Sequence, residues 1–446
     1  MNIKRFLNPQ SIALVGGSWT DSIIEANQKL GYSGEIYRVN PSREGYYNSV
    51  EELPESPDAA FIVVPNQKVS DVVKSLNTAG AGGVVCFSAG FSELLTEEGR
   101  QLSSDLKTAA NGMPLIGPNC YGFINYVDGV SLWPEKVGSK KQDQGVAIIS
   151  QSGGLCQCFI HNQRSLPISY VISIGNQEGL TFEDLIEELL QDPRVTAFGL
   201  YVEEIKDSRR FTKLAEQARS QNKPIAVLKA GSTEFSQVYA YNHTNSNTGY
   251  DDEFNLYCKA NHIARCETFS VFMETLKVMS LSKPRLGNKL ILAAGSAGYQ
   301  LMTRDVSRYL DLDWKMIPLE KSLQLATILG PRVVISNPLD FQTAVWTQEK
   351  EFKDMLRTLF ESGYDWVVLM LSYPPITENE NTIAYDTPIQ RLIEVSREYP
   401  NIQAAILSGL PEFWTESVRN HCINNRVIPL QGHLEGLTAI SLAATS

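Results

Sequence analysis

Three consecutive doubly wound α/β domains are what this sequence predicts, and three observations predict them. Short, β-branched apolar runs recur along the whole chain with amphipathic stretches between them, at a spacing of about 25 residues, which is the pattern of βαβ units with strands buried on both faces. Polar, Gly- and Pro-containing stretches at Val130–Gly145 and Lys283–Asn288 interrupt the series twice. A length of 446 residues suits about three domains.

In the first series, Ser11–Val15, Glu35–Val39, Ala59–Val64, Gly83–Ser88 and Pro114–Ile116 read as strands. Helical stretches lie near Ile23–Gly31, Lys68–Ala79 and Thr96–Ala110, so a Rossmann-like domain is expected over residues 1–135. The second series, over 143–282, places strands at Val146–Ser150, Tyr170–Ser173, Ala197–Val202 and Pro224–Lys229, with helices at Phe182–Gln191 and Arg209–Gln221. The third, over 287–446, has strands at Lys289–Ala293, Lys315–Ile317, Val333–Ser336, Trp366–Leu371, Gln403–Leu407 and Val427–Pro429. Val130–Gly145 itself reads as a linker or long loop.

Composition narrows the function. With 39 Lys+Arg against 50 Asp+Glu the formal charge is −11, which disfavours a nucleic-acid-coating role and leaves local anion pockets open. Charged residues at 20 % and hydrophobic residues at 43 % describe a globular chain and not a disordered one. The amino terminus has no apolar run of secretory length, and no stretch approaches the roughly 20 apolar residues that span a bilayer, so no membrane association is expected. The 7 cysteines are scattered, with only Cys156 and Cys158 close together, which fits reduced thiols in a cytoplasmic protein. The histidines at 161, 243, 262, 421 and 433 are too dispersed for a metal-ligand spacing, and no metal site is expected on this chain.

Ligands of open parallel sheets bind beyond the carboxyl ends of strands, so the strand-to-helix turns carry the candidates. Gly16, Gly17 and Ser18 form the first turn, which lacks the G-x-G-x-x-G dinucleotide pattern; the second strand runs into Arg38 and Arg43, cations suited to a phosphate and not to a ribose hydroxyl. Ser152, Gly153 and Gly154 form the second turn, and Gly295, Ser296, Ala297 and Gly298 the third. A plain βα turn would read the same way at each. His243 stands in a polar run, Tyr241–Gly249, that predicts an exposed loop; a solvated surface histidine is the bland alternative. Ser152 does not sit in the G-x-S-x-G elbow of a hydrolase.

Taken in order, the segments SIALVGGS, GEIYRVNPSREG, FSAGFSE, GPNCYGFIN, SQSGG, ISIGNQEGLTFEDLIEELLQDP, LYVEEIKDSRRF, KPIAVLKAGST, NHT and SNPLDF resemble one family over essentially the whole chain. That family is the NDP-forming acyl-CoA synthetases, in particular the α-type chain of ADP-forming acetyl-CoA synthetase and more distantly succinyl-CoA synthetase. The resemblance implies an N-terminal CoA-binding domain followed by two flavodoxin-like, succinyl-CoA-synthetase-type domains. It implies that Gly16, Gly17, Ser18, Arg43, Ser88, Ala89, Gly90 and Asn119 bind coenzyme A and that Ser152–Gly154 and Gly295–Gly298 hold phosphate. His243 matches the phosphorylated histidine, with Glu203 as the carboxylate that orients its ring.

The resemblance further implies a ligase acting on a small carboxylic acid or acyl-CoA through an acyl phosphate and a phosphohistidine. No G-x-x-x-x-G-K-[ST] loop and no ATP-grasp segment occur in the sequence, so ATP or ADP and Mg²⁺ are expected on a separate ATP-grasp β-type subunit of a hetero-oligomer. Three positions depart from the family pattern. Asn245 follows H-T where glycine is usual, the third turn is a reduced glycine run, and Gln157 stands where succinyl-CoA synthetase places a tyrosine near its substrate. The competing reading is a catalytically weakened CoA-binding regulatory protein of the same fold; an NAD-dependent dehydrogenase is disfavoured by the missing fingerprint.

Overall fold

The computed structural model describes residues 1–138, 141–244, 247–283, 287–342, 345–371 and 383–446, without the side chains of 242–244 and 383–385. The chain divides into two compact bodies, one of Met1–Asn162 with Pro167–Arg265, the other of Gln163–Leu166 with Cys266–Ser446. Among the described residues no helix is long and apolar enough to cross a membrane.

The first body holds two sheets. Strands β1 (Ser11–Gly16), β2 (Glu35–Val39), β3 (Ala59–Val63), β4 (Val84–Cys86) and β5 (Leu115–Ile116) form a parallel sheet in the order β2-β1-β3-β4-β5. Its strands are almost wholly buried except β2 at the edge, as sequential apolar runs covered by helices on both faces require. The helices begin and end on recognisable signals: Thr96 accepts the Gly99 N–H to start Glu97–Ala110, and Asn111 in the left-handed region ends it.

The second sheet adds β6 (Gly122–Asn125), β7 (Val130–Leu132), β8 (Gly145–Ser150), β9 (Ile168–Ser173), β10 (Val195–Val202), β11 (Ile225–Lys229) and β12 (Ala264–Cys266), in the order β12-β11-β10-β8-β9-β6-β7. Strands β8 to β11 repeat the parallel connectivity of the first sheet. Its β9 edge is extended by the antiparallel pair β6–β7, with Phe123 opposite Ile172 and also opposite Leu132. Residues 122–132 therefore pair with the second sheet, although the expected first domain runs to 135. Val130–Leu132, expected within a linker, is a fully buried strand. Apolar residues at 123, 130 and 132 are covered there because β9 offers a free edge.

The second body contains β13 (Leu290–Ala294), β14 (Leu339–Asp340), β15 (Trp366–Met370), β16 (Gln403–Leu407) and β17 (Val427–Leu430), again parallel and in the order β14-β13-β15-β16-β17. All three sheets thus place their second strand outside the first and their third on its other side. Each has a topological switch point between its first and third strands.

Two expected strands of this body are absent. Lys315–Ile317 and Val333–Ser336 are irregular, and β14 occupies Leu339–Asp340 instead. The side chain of Asn337 takes the place of a ladder: its Nδ2 donates to Leu290 O at 2.7 Å and Lys315 O at 3.0 Å, and its Oδ1 accepts from Leu292 N at 3.4 Å. Asn337→Ala is expected to cost about 2 kcal/mol, because buried backbone groups of β13 lose their partner; a denaturant titration followed by intrinsic tryptophan fluorescence would read it. His433, on the same body, is buried and bonds Thr303 Oγ1 at 2.8 Å; burial lowers its pKa to about 4, which keeps it a neutral structural group.

Candidate functional site

A cavity of about 590 Å³ opens in the first body at the carboxyl ends of its two parallel sheets. The first sheet contributes Val63–Asn66 after β3 and Phe87–Ala89 after β4. The second contributes Gln151–Gly154 after β8 and Glu203 after β10, which are the two sides of its switch point. Asn119, Cys120 and Tyr121, from the connection between the sheets, complete the wall.

The turn after β8 is shaped by its own serine. Ser150 Oγ accepts the Ser152 N–H at 3.1 Å and donates to Ser152 O at 2.7 Å. The Ser152 amide is thereby committed within the turn, whereas the N–H groups of Gly153 and Gly154 meet no acceptor among the described residues. The following helix starts at Cys156, so Ser152–Gly154 stand in the turn before it. Gly153 is required here: a Cβ would run into the ring of Tyr121, which lies against the turn.

Across the switch point, Gln151 supplies an anchor that sequence reasoning did not single out. Its Oε1 accepts the backbone N–H of Glu203 at 2.7 Å and of Glu204 at 2.9 Å, fixing where the Glu203 side chain leaves the backbone. Burial, with the carboxylate of Glu203 nearby, pushes the Tyr201 phenol up to about 12.

The opposite wall is pinned by partly buried polar groups. Ser88 Oγ donates to Val64 O at 2.6 Å, Asn119 N donates to Ser88 O at 3.0 Å, and Glu93 accepts from Gly90 N at 2.6 Å and Phe91 N at 3.1 Å. Asn176 ties the two sides together, accepting from Asn119 Nδ2 at 3.2 Å and donating to Glu93 at 2.5 Å. Gly90 belongs to this bonded loop but does not line the cavity.

A second group lies at the carboxyl ends of β1 and β2. Gly16 O accepts from Asn40 Nδ2 at 2.9 Å, and Gly17 O accepts from Thr20 Oγ1 at 2.9 Å. Ser18 stands at the start of the helix Trp19–Leu30 without a side-chain capping bond. Nearby, Arg38 and Arg43 both donate to the Tyr46 hydroxyl, at 3.2 and 3.4 Å, and both lie over its ring. Arg43, with Arg38, lowers the Tyr46 pKa.

The structure thus brings Ser88, Ala89, Asn119, Ser152, Gly153, Gly154 and Glu203 to one cavity, and sets Gly16, Gly17, Ser18 and Arg43 in a separate group. Gly295, Ser296, Ala297 and Gly298 belong to the other body, where Ala297 and Gly298 are the first residues of a helix, Ala297–Val306. His243 differs from its expected setting. Tyr241–Thr244 form the last turn of a helix, Glu234–Thr244, and not a loop. Thr233 starts that helix by accepting the Ser236 and Gln237 amides, at 3.2 and 2.9 Å. The helix packs against the Ser92–Leu94 turn beside the cavity wall; the His243 side chain and residues 245–246 lie outside the described residues. Among the described residues no group of His, Cys, Asp or Glu could hold a metal ion.

Two family models match the chain where these sheets lie. A CoA binding domain covers residues 10–126 and a succinyl-CoA ligase like flavodoxin domain covers 143–279, so the first body combines a CoA-binding and a ligase-type module. The chain is 31 % identical to the α subunit of acetate–CoA ligase (ADP-forming) II of Pyrococcus furiosus over 75 % of both chains. It is 33 % identical to the acetate–CoA ligase (ADP-forming) of Methanocaldococcus jannaschii over 76 % of its own length, and spans only about half (49 %) of that relative. The chain belongs to the ADP-forming acetate–CoA ligase family. The fold is that of the dinucleotide-forming acetyl-coenzyme A synthetase 1 of Ca. Korarchaeum cryptofilum, with a TM-score of 0.84 at 22 % identity over 99 % of this chain and 96 % of that one.

Proposed function

We propose that this chain is the CoA-binding, phosphohistidine-carrying subunit of an NDP-forming acyl-CoA synthetase. The overall reaction would be acid + CoA + ATP to acyl-CoA + ADP + phosphate, reversibly, with the nucleotide and Mg²⁺ bound by an ATP-grasp partner. The observation that carries this reading is the cavity at the two sheets' carboxyl ends, where two uncommitted glycine amides face Glu203 across one switch point.

In the direction of acyl-CoA cleavage, a phosphate oxygen bonds to the acyl carbon, the carbon–sulfur bond breaks, and the thiol leaves with a proton. Gly153 and Gly154 would hold the phosphate by their N–H groups, since phosphoryl chemistry is served mainly by positioned donors. His243 would then attack the phosphorus of the acyl phosphate, releasing the free carboxylate, and pass the phosphoryl group to a nucleoside diphosphate on the partner. Glu203, held by Gln151, would bond the far ring nitrogen and stabilise the imidazolium that forms. Coenzyme A suits the remaining donors: Arg38 and Arg43 are the cations for its phosphates, Gly16–Ser18 offer a backbone edge, and Ser88, Ala89 and Asn119 would meet its thiol end.

The test separates the half-reaction from the whole. Incubated with an acyl-CoA and [³²P]phosphate, the chain alone is expected to acquire an alkali-stable, acid-labile label, while acid, CoA, ATP and Mg²⁺ give no turnover without an ATP-grasp subunit. CoA binding with no label for any thioester would reject the enzyme reading in favour of a regulatory one. Full turnover by the chain alone would reject the separate partner.

A further inference from the structure

The structure assigns to the second body a binding pocket for a small anion carrying two phosphates, built from Lys283, Arg397 and Arg426 beside the amino ends of β16 and β17. It is a cavity of about 300 Å³, at the low end of the sizes that hold a small ligand. Those three are its charged residues, and no carboxylate lines it among the described residues. In a chain of net charge −11, three cations gathered without an acid call for a reason.

Helix capping is not that reason. Cations near the end of a helix often bond its last carbonyls. The helices Ile383–Ser396 and Glu416–Asn424 both end at this cavity, yet among the described residues none of the three side chains bonds their carbonyls and none forms an ion pair. Lys283 Nζ donates to Ile402 O at 2.7 Å and Arg397 Nη2 to Asn425 Oδ1 at 2.5 Å, which leaves most of their donors for a ligand. The Arg426 guanidinium bonds nothing among the described residues. Burial, and after it the charge of Arg426, lower the pKa of the Lys283 ammonium, so these cations repel one another and an anion between them would relieve it.

The cradle is fixed from the sheet side. Buried Gln403 donates from Nε2 to Arg426 O at 3.1 Å and to Ala404 O at 3.0 Å, and Asn425 Nδ2 donates to His421 O at 2.8 Å. Arg426 follows Asn425, the cap of Glu416–Asn424, with φ +62, at the left-handed position where helices favour glycine. An arginine there accepts a backbone cost that glycine would not carry, and adds a guanidinium to the cavity wall. Two guanidinium forks and an ammonium match a diphosphate better than a sulfate, which carries less charge. No aromatic ring lines the cavity among the described residues, so a nucleobase would find nothing there to stack on.

Calorimetric titration of the chain with inorganic pyrophosphate tests this, at about 0.15 M NaCl so that scattered surface cations are largely screened. A binding step is expected that Arg426→Gly and Arg397→Gln each weaken at least tenfold, the scale of one charge-assisted contact, while coenzyme A affinity stays as in the parent. Glycine suits the left-handed backbone at 426, so Arg426→Gly should unfold thermally no earlier than the parent, which separates loss of binding from loss of fold. Sulfate should bind at least tenfold more weakly, and ADP within a few-fold of pyrophosphate. No such step, a step that both folded variants keep, or one lost in Arg43→Gln instead overturns the proposal. So does sulfate binding as tightly, or an Arg426-dependent step at least tenfold tighter for ADP. Phosphorylation of the chain by acyl-CoA plays no part in this outcome.

Discussion

His243→Asn is expected to abolish phosphorylation of this chain by acyl-CoA and phosphate, lowering the initial rate of label incorporation by roughly 10³-fold or more, as loss of a covalent nucleophile does. Asparagine keeps the polarity of the helix end and offers no nitrogen that attacks phosphorus at neutral pH. The substitution lies in the last turn of Glu234–Thr244, where the helix has little left to lose, so folding and CoA affinity should stay close to those of the parent. The measurement is a time course of label with a calorimetric CoA titration on the same preparation. Undiminished label would move the phosphoryl acceptor to another residue.

The second large effect is structural. Gly16→Ala is expected to destabilise the first sheet by roughly 3 kcal/mol or more. Gly16 has φ +128, a region that L side chains rarely adopt, and an added Cβ would collide with the Val63 carbonyl on the neighbouring strand. A backbone carbonyl in a parallel ladder cannot swing aside as a flexible side chain can. The same carbonyl belongs to the end of β3, so the damage would reach the cavity wall at Val63–Asn66. Thermal unfolding and CoA binding should both register it. Gly17→Ala is the control for the unfolding measurement, because its Cβ would meet open space. Equal behaviour of the two variants would contradict the explanation.

The central strands were legible because a parallel strand covered on both faces is an uninterrupted apolar run, and Gln403–Leu407 has the bounds its sequence implies. What escaped depends on partners distant in sequence. Val130–Leu132 is a strand only because β6, itself paired with β9, is beside it, and Val333–Ser336 is not one because the Asn337 side chain holds that edge of β13. Gln151 resembles any polar turn residue until Glu203, far along the chain, is seen donating to it. Tyr121 sits in the GPNCYG segment, yet nothing local says that its ring lies on Gly153. The polar run around His243 hid a helix because Thr233 and Ser236 start it, and its large residues, Phe235 and Val238, are exposed and give no inward-facing stripe.

The hairpin of β6 and β7 also has a consequence in time. During synthesis, residues 122–132 leave the ribosome well before Ile168–Ser173, the strand that β6 pairs with. The first sheet has all its strands by Ile116 and can close as soon as they emerge. The hairpin cannot be seated for some forty residues more, and it carries Phe123 and Leu132, which are wholly buried once it is. Through that interval two side chains that end wholly buried have emerged without the strand that seats them, so the order of synthesis, and not the stability of the finished fold, sets how long this apolar surface stays open.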